Sequence, residues 1–166
     1  MLLTGDVAAL TAAVEAAVVP DTTRRAVLGR GRIFGLERSA PGADQVTDCN
    51  FSDSLLIQTA NRALAAALGP EGASFTWTSL QLNRDTIAHP HFDTGTVKKS
   101  AVVLLGDFAG GALSVEGMAD LCIKGEVRLF DGGRQRHKSA PFTGQRHSLV
   151  WHTRASIEDQ PPAVVA

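Results

Sequence analysis

From Gly72 onward the chain breaks into short β-like runs, and this texture limits its fold more than any other feature. "SFTWTSLQLNR" (74–84), "KKSAVVLLGDF" (98–108), "GALSVEG" (111–117), "LCIKGEVRLF" (121–130) and "HSLVWHT" (147–153) are rich in β-branched and aromatic residues. The turn-forming stretches "GDFAGG", "DGG" and "PFTG" separate them. Runs this short cannot each bury a face alone, so they must layer into a sandwich or small barrel.

The first 72 residues have a different texture. Val7, Leu10, Val14 and Val18 share one face of an expected helix, with Thr4 or Asp6 as its cap and Pro20 as its stop. A second helix is expected from a cap at Ser52 or Asp53, a stripe of Ile57, Ala60, Leu64 and Leu68, and an end at Gly69-Pro70. A helix with one apolar face belongs across a sheet. Between them, "RRAVLGRGRIFGL" reads as strand-like and broken by glycines, and the polar segment 37–50 as a loop, a candidate lid. The expected class is α+β in one domain spanning 1–166, with helical support over about 1–72 and a β core over about 73–154.

Composition narrows the function classes. A net charge of −1 from 16 basic and 17 acidic residues supplies no broad positive field for duplex nucleic acid. The N-terminal stretch carries Asp6 and Glu15 and no basic start, so it reads as a helix and not as a cleaved leader. No run approaches the ~20 apolar residues of a membrane span. Cys49 and Cys122 lie far apart and form no CxxC pair, which fits reduced thiols in a cytoplasmic protein.

Chemistry concentrates in "AHPHFDTG" (88–95). If this stretch is extended, His91 and Asp93 project to one face and offer an imidazole nitrogen and a carboxylate oxygen side by side. His89 shares that face only if the strand runs through Pro90, which proline disfavours. His137 adds a second imidazole 44 residues after Asp93. Two histidines and a carboxylate suit the facial triad of non-haem Fe(II) oxygenases and also the sites of zinc hydrolases. Nine residues after His137 come Arg146 and Ser148, again at i and i+2, a guanidinium fork and a hydroxyl suited to a carboxylate. "PFTG" between them is expected to turn the chain so that the Arg146 strand runs back beside that of His137. Gln81 and Asn83 share a face of the strand leading into the histidine loop and are candidates to line the same pocket.

In order and spacing these motifs resemble the 2-oxoglutarate- and Fe(II)-dependent dioxygenases. The carriers are "HFD" (His91, Asp93), His137, and the "RHS" of Arg146 and Ser148, and the likeness runs from about Ser74 to Thr153. "LGDFAGGALSV" looks like the glycine-rich strand pair of many members. The chain departs from many of them in having no tyrosine. The resemblance implies a double-stranded β-helix (jelly-roll, cupin-like) core with supporting N-terminal helices. It also implies catalytic Fe(II) on His91, Asp93 and His137, with the 2-oxoglutarate co-substrate held by Arg146 and Ser148. O₂ would be consumed, succinate and CO₂ released, and a substrate C–H bond hydroxylated. His89, His147 and His152 then take non-ligand roles. The expected partner is a small molecule, amino-acid residue or peptide, with no membrane and with duplex nucleic acid disfavoured; the sequence does not fix the oligomeric state. A non-catalytic cupin-like binding module and a zinc hydrolase are the competing classes.

Overall fold

The computed structural model describes residues 1–22, 24, 26–38 and 44–155. Helix α1 spans Thr4–Ala16 and α2 spans Phe51–Leu68, followed by a 3-10 helix over Gly69–Ser74; the described residues also form ten strands. They are β1 (Val27–Arg38), β2 (Asp44–Val46), β3 (Ser79–Ala88), β4 (Thr96–Leu105), β5 (Phe108–Gly110), β6 (Leu113–Val115), β7 (Arg128–Phe130), β8 (His137–Ser139), β9 (Phe142–Gly144) and β10 (His147–Arg154). The class is α+β, and every strand pairing is antiparallel. Among the described residues no helix is long and apolar enough to cross a membrane.

The helices start and stop differently from the sequence expectation. α1 begins after Leu3 with no side-chain cap and ends at Ala16, ahead of Pro20, which leaves Val18 exposed. Its C-terminal carbonyls are closed from outside: the Arg84 guanidinium donates to the carbonyls of Val14, Glu15 and Ala17, a cation at the negative end of the helix dipole. α2 is capped by Asn50, not Ser52 or Asp53. The Asn50 side chain accepts from the Asp53 amide at 3.0 Å, and Asp53 accepts from the Asn50 amide at 3.1 Å, which makes a capping box. Asp53 is therefore the third residue of the helix, and it is buried against Arg32 of β1 in a 2.9 Å ion pair. The buried stripe of α2 is Leu56, Ala60, Ala63 and Leu64, with Ile57 and Leu68 at its margin. It ends at Gly69 as expected, where φ of 58° suits glycine.

Three layers result. The middle one is a six-stranded sheet in the order β2-β1-β3-β10-β4-β7. On one side α1 and α2 bury their stripes against Phe34, Leu80, Leu82, Val103, Leu149 and Trp151. The Trp151 indole N–H donates to the Asn61 amide oxygen at 2.9 Å and fastens α2 to β10. On the other side lie two small ladders, β5 with β9 and β6 with β8. They pack through Phe108, Leu113 and Val115 against Val102 and Leu104 of β4.

Strand alternation divides the work of β10. Leu149, Trp151 and Thr153 face the helices, while Ser148, Val150, His152 and Arg154 line a cavity on the opposite side.

Several strand expectations are corrected. Phe142–Gly144 of "PFTG" is a strand on β5, not a bare turn, so β10 does not run beside the His137 strand. β10 instead pairs with β3 and β4, while β8 pairs with β6, which puts Arg146 and His137 on opposing layers. β5 and β6, inside "LGDFAGGALSV", pair with β9 and β8 and not with each other. β1, which precedes the helix α2, joins the main sheet along β3, so that sheet recruits residues ahead of position 73. Of the candidate lid over 37–50, residues 39–43 lie outside the described residues; 44–46 form β2 on the edge of the sheet.

Candidate metal centre

His91 does not sit in a continuous strand. It forms an isolated antiparallel bridge with His137. Each amide donates to the other's carbonyl at 3.0 Å, and the imidazole centroids stand 4.4 Å apart. Asp93 is pinned by its own amide, which donates to the Gly132 carbonyl at 2.8 Å. A Cβ on Gly132 would lie 2.8 Å from Asp93 Oδ2, so only the absence of a side chain leaves the carboxylate its place.

The ring orientations are set by backbone. His91 Nδ1 lies 2.7 Å from the His89 carbonyl and His137 Nδ1 3.0 Å from that of Gln135. A carbonyl only accepts, so both Nδ1 atoms carry a proton, and each Nε2 offers its lone pair to a metal or, in a protonated ring, donates to Asp93. Both Nε2 atoms point at Asp93, 3.5 Å from Oδ1 for His91 and 3.4 Å from Oδ2 for His137. One ligating atom from each of the three residues falls within 4.8 Å of the others. Two imidazole nitrogens of fixed tautomer and a carboxylate, with backbone partners behind them, form a donor set that fits one divalent transition metal.

Charge balance follows from the same contacts. Burial alone would raise the Asp93 carboxyl, but hydrogen bonds and charge from His137 and His91 outweigh it and hold the group well below its ordinary range. Burial would lower His137, and the Asp93 carboxylate overrides it and raises the imidazole. His137 is 6% exposed, with Phe130 edge-on at 5.2 Å.

The triad opens on a cavity of about 380 Å³ between the main sheet and the small ladders. Arg146, Ser148, Gln81 and Asn83 all line it. Arg146 is 2% exposed. Its amide donates to Asp85 Oδ1 and its Nε to the Gly111 carbonyl, both at 2.9 Å. Phe108 and Phe142 flank the guanidinium, 5.7 and 5.9 Å from it to their ring centroids. A Cβ on Gly111 would come within 2.7 Å of the Arg146 side chain. Burial lowers the arginine to about 10, which leaves it cationic at neutral pH. Among the described residues no carboxylate side chain pairs with it. Asn83 Nδ2 donates to Ser148 Oγ at 3.1 Å, and Gln81 Nε2 donates to the carbonyls of Arg32 and Leu82 at 3.0 and 2.8 Å.

The other histidines separate. His89 contributes its carbonyl to His91. His147 faces the helix side with both ring nitrogens buried and without partners among the described residues. His152 lines the cavity and is held neutral, chiefly by burial. Four residues went unrecognised in the sequence. Gly132 and Gly111 stood in "DGG" and "AGG" and read as turns. Ser139, which accepts from the Ala88 amide at 2.7 Å, and Arg24 carried no pattern at all.

No family model and no curated protein matches the sequence. Solved structures do. The chain resembles a 2OG-Fe(II) oxygenase family oxidoreductase from Burkholderia pseudomallei at 20% identity, with 90% of this chain and 78% of that one covered and a TM-score of 0.61. It resembles NgTET1, solved in complex with 5mC DNA, at 17% identity, 96% and 72% coverage and a TM-score of 0.63. A Pseudomonas putida prolyl-4-hydroxylase matches at 18% identity, 92% and 89% coverage and a TM-score of 0.57. The chain has the fold that these oxygenases share.

Proposed function

We propose that this chain belongs to the 2-oxoglutarate- and Fe(II)-dependent oxygenases and hydroxylates a C–H bond of a small molecule or peptide, with release of succinate and CO₂. The carrying observation is that the His91–Asp93–His137 donor set and the Arg146 guanidinium, from opposite layers, open on one cavity. The layered arrangement of a main sheet facing small antiparallel ladders supports a double-stranded β-helix reading of the core.

In this reading His91, Asp93 and His137 hold Fe(II) on one side and leave the cavity side for co-substrate and O₂. When bound, the iron activates O₂ and 2-oxoglutarate supplies the electrons. Arg146 and Ser148 hold the far carboxylate of 2-oxoglutarate. The Ser148 hydroxyl accepts from Asn83, which frees its own proton to donate alongside the guanidinium. Gly111 and the two phenylalanines keep that guanidinium aimed. Val102, Leu104, Leu113, Phe130 and Val150 supply an apolar lining that limits water. Asn83 and Gln81 orient neighbouring donors.

A zinc hydrolase would need a base beside the metal water. Among the described residues Asp93 is the one acid that lines the cavity; Glu116 and Glu126 are engaged with Arg136 and Arg128 elsewhere. A silent binding module would have no use for a buried, carboxylate-free arginine facing a metal triad. Both cysteines are free thiols, in keeping with a cytoplasmic setting.

The test is an anaerobic titration with Fe(II) and then 2-oxoglutarate, followed through the weak visible charge-transfer band, and succinate measured under O₂. A band and co-substrate-dependent succinate are expected. Absence of both would sink the reading.

A further inference from the structure

We propose that Arg24 forms an anion-binding subsite at the second end of the cavity and selects a substrate bearing a carboxylate or phosphate group; this rests on the oxygenase reading above.

Arg24 comes from the segment ahead of β1, which is fastened to that strand. The Gly31 amide donates to the Pro20 carbonyl and the Thr22 amide to that of Gly29, both at 2.9 Å. From there the guanidinium crosses the inner face of the sheet. Its Nη2 donates to Asn83 Oδ1 at 2.5 Å and its Nε to Thr22 Oγ1 at 3.2 Å. An arginine only donates, so Oδ1 is the atom that faces it, and the Asn83 amide is committed to Ser148 on its other side.

The seat is made by Gly31, which lies opposite Asn83 in the β1–β3 register. A Cβ there would stand 3.3 Å from Arg24 Nη2 and 3.1 Å from Gln81 Nε2. Both acceptors of Arg24 are neutral, and it joins no ion pair among the described residues. An exposed cation held on the cavity rim by neutral acceptors keeps its charge available to a ligand.

Location gives the charge a use. Arg24, Ile33 and Gln81 form the wall shared by the main cavity and a second, more polar cavity of about 480 Å³, whose lining carries Arg32 and the acids Asp21, Glu37 and Asp48. Among the described residues the single acid that lines the main cavity, Asp93, belongs to the metal triad. Arg146 is spoken for by the co-substrate. Arg154 also lines this cavity, from the end of β10, whereas Arg24 lies on the β1 side of Asn83, and an anionic group docked on Arg24 would direct the rest of a substrate toward the triad.

The probes are hexanoate, hexyl phosphate and neutral hexanamide, with affinities read by ligand-observed NMR on the metal-free protein and on the anaerobic Fe(II)–2-oxoglutarate complex. At least one anion is expected to bind about tenfold tighter than the amide, and whichever anion leads names the chemistry. Arg24→Gln should erase the preference, and Gly31→Ala should weaken it by moving the guanidinium while keeping its charge. Both variants should leave 2-oxoglutarate affinity unchanged, whereas Arg146→Ala should weaken 2-oxoglutarate and spare the anion probe. The proposal is overturned if the amide binds as well as the anions, if no anion binds, if the preference survives Arg24→Gln, or if that variant loses 2-oxoglutarate equally. Failure of the Fe(II)–2-oxoglutarate complex to form would remove the oxygenase reading alone, because the metal-free arm still reports on the anion.

Discussion

His91 and His137 exchange both backbone hydrogen bonds at 3.0 Å, and each turns its Nδ1 to the carbonyl two residues earlier in its own chain, that of His89 and that of Gln135. On the Nδ1 side the two imidazoles are thus held by main chain, which leaves each Nε2 turned to Asp93. The pairing also fixes the gap that Asp93 fills.

The arrangement makes His89 dispensable as a side chain. His89→Ala keeps the carbonyl that holds His91, so metal affinity should change by less than about threefold, while His91→Ala should lose on the order of a hundredfold or more. Calorimetric titration with Fe(II) or Co(II) measures both. A large loss in His89→Ala would make that imidazole a ligand.

Arg146→Ala should weaken 2-oxoglutarate binding by about tenfold to a hundredfold, since it removes charge-assisted donors from a buried site. Metal affinity should hold. Arg146→Lys should recover part of the loss, because it restores the charge without the fork. Co-substrate titrations at saturating metal separate these outcomes.

Two glycines should separate metal from co-substrate. Gly132→Ala crowds Asp93 Oδ2 and should lower metal affinity. Gly111→Ala crowds the Arg146 side chain at a backbone φ of +66° and should lower 2-oxoglutarate affinity with the metal site intact. Thermal denaturation of each metal-free variant identifies any loss due to folding alone. If both variants lose both ligands to the same degree, the two close contacts do not act separately.

The metal-free triad should leave a pH signature. The depressed Asp93 pKa contributes stability that is present above its unfolded value of 3.8 and is lost as pH falls through the folded value. The raised His137 pKa contributes stability that is present below its unfolded value of 6.5 and is lost as pH rises through the folded one. The pair therefore stabilises most between those two unfolded values. Wild type should exceed Asp93→Asn in urea-unfolding free energy by more near pH 5 than near pH 9. The reverse order would show that the carboxylate and imidazole do not share a proton-linked contact.

The ligand set was legible in the sequence because its residues are chemically rare, whereas their placement was not. His91 and Asp93 were expected side by side on a strand; a single backbone bridge and the Gly132 carbonyl achieve the same placement without one. The i, i+2 geometry of Arg146 and Ser148 was readable from alternation. The layer they occupy was not, because three residues of "PFTG" form a strand too short to show a period. Arg24 could not be found at all: its relation to Asn83 spans 59 residues and depends on Gly31 having no side chain. Helix ends failed for a related reason, since Asn50 and Asp53 cap reciprocally and either alone reads as a cap.

β10 is the last of the described strands in sequence, yet it lies inside the main sheet with β3 on one flank and β4 on the other. During synthesis β3 and β4 are complete long before the strand that joins them. Until residues 147–154 emerge, two open edges await a partner and the helices have half a floor. The nascent protein then lacks the wall that bears Ser148. Its folding must therefore be a late closure, slow for its size and exposed to mispairing, because the sheet depends on contacts between distant parts of the chain.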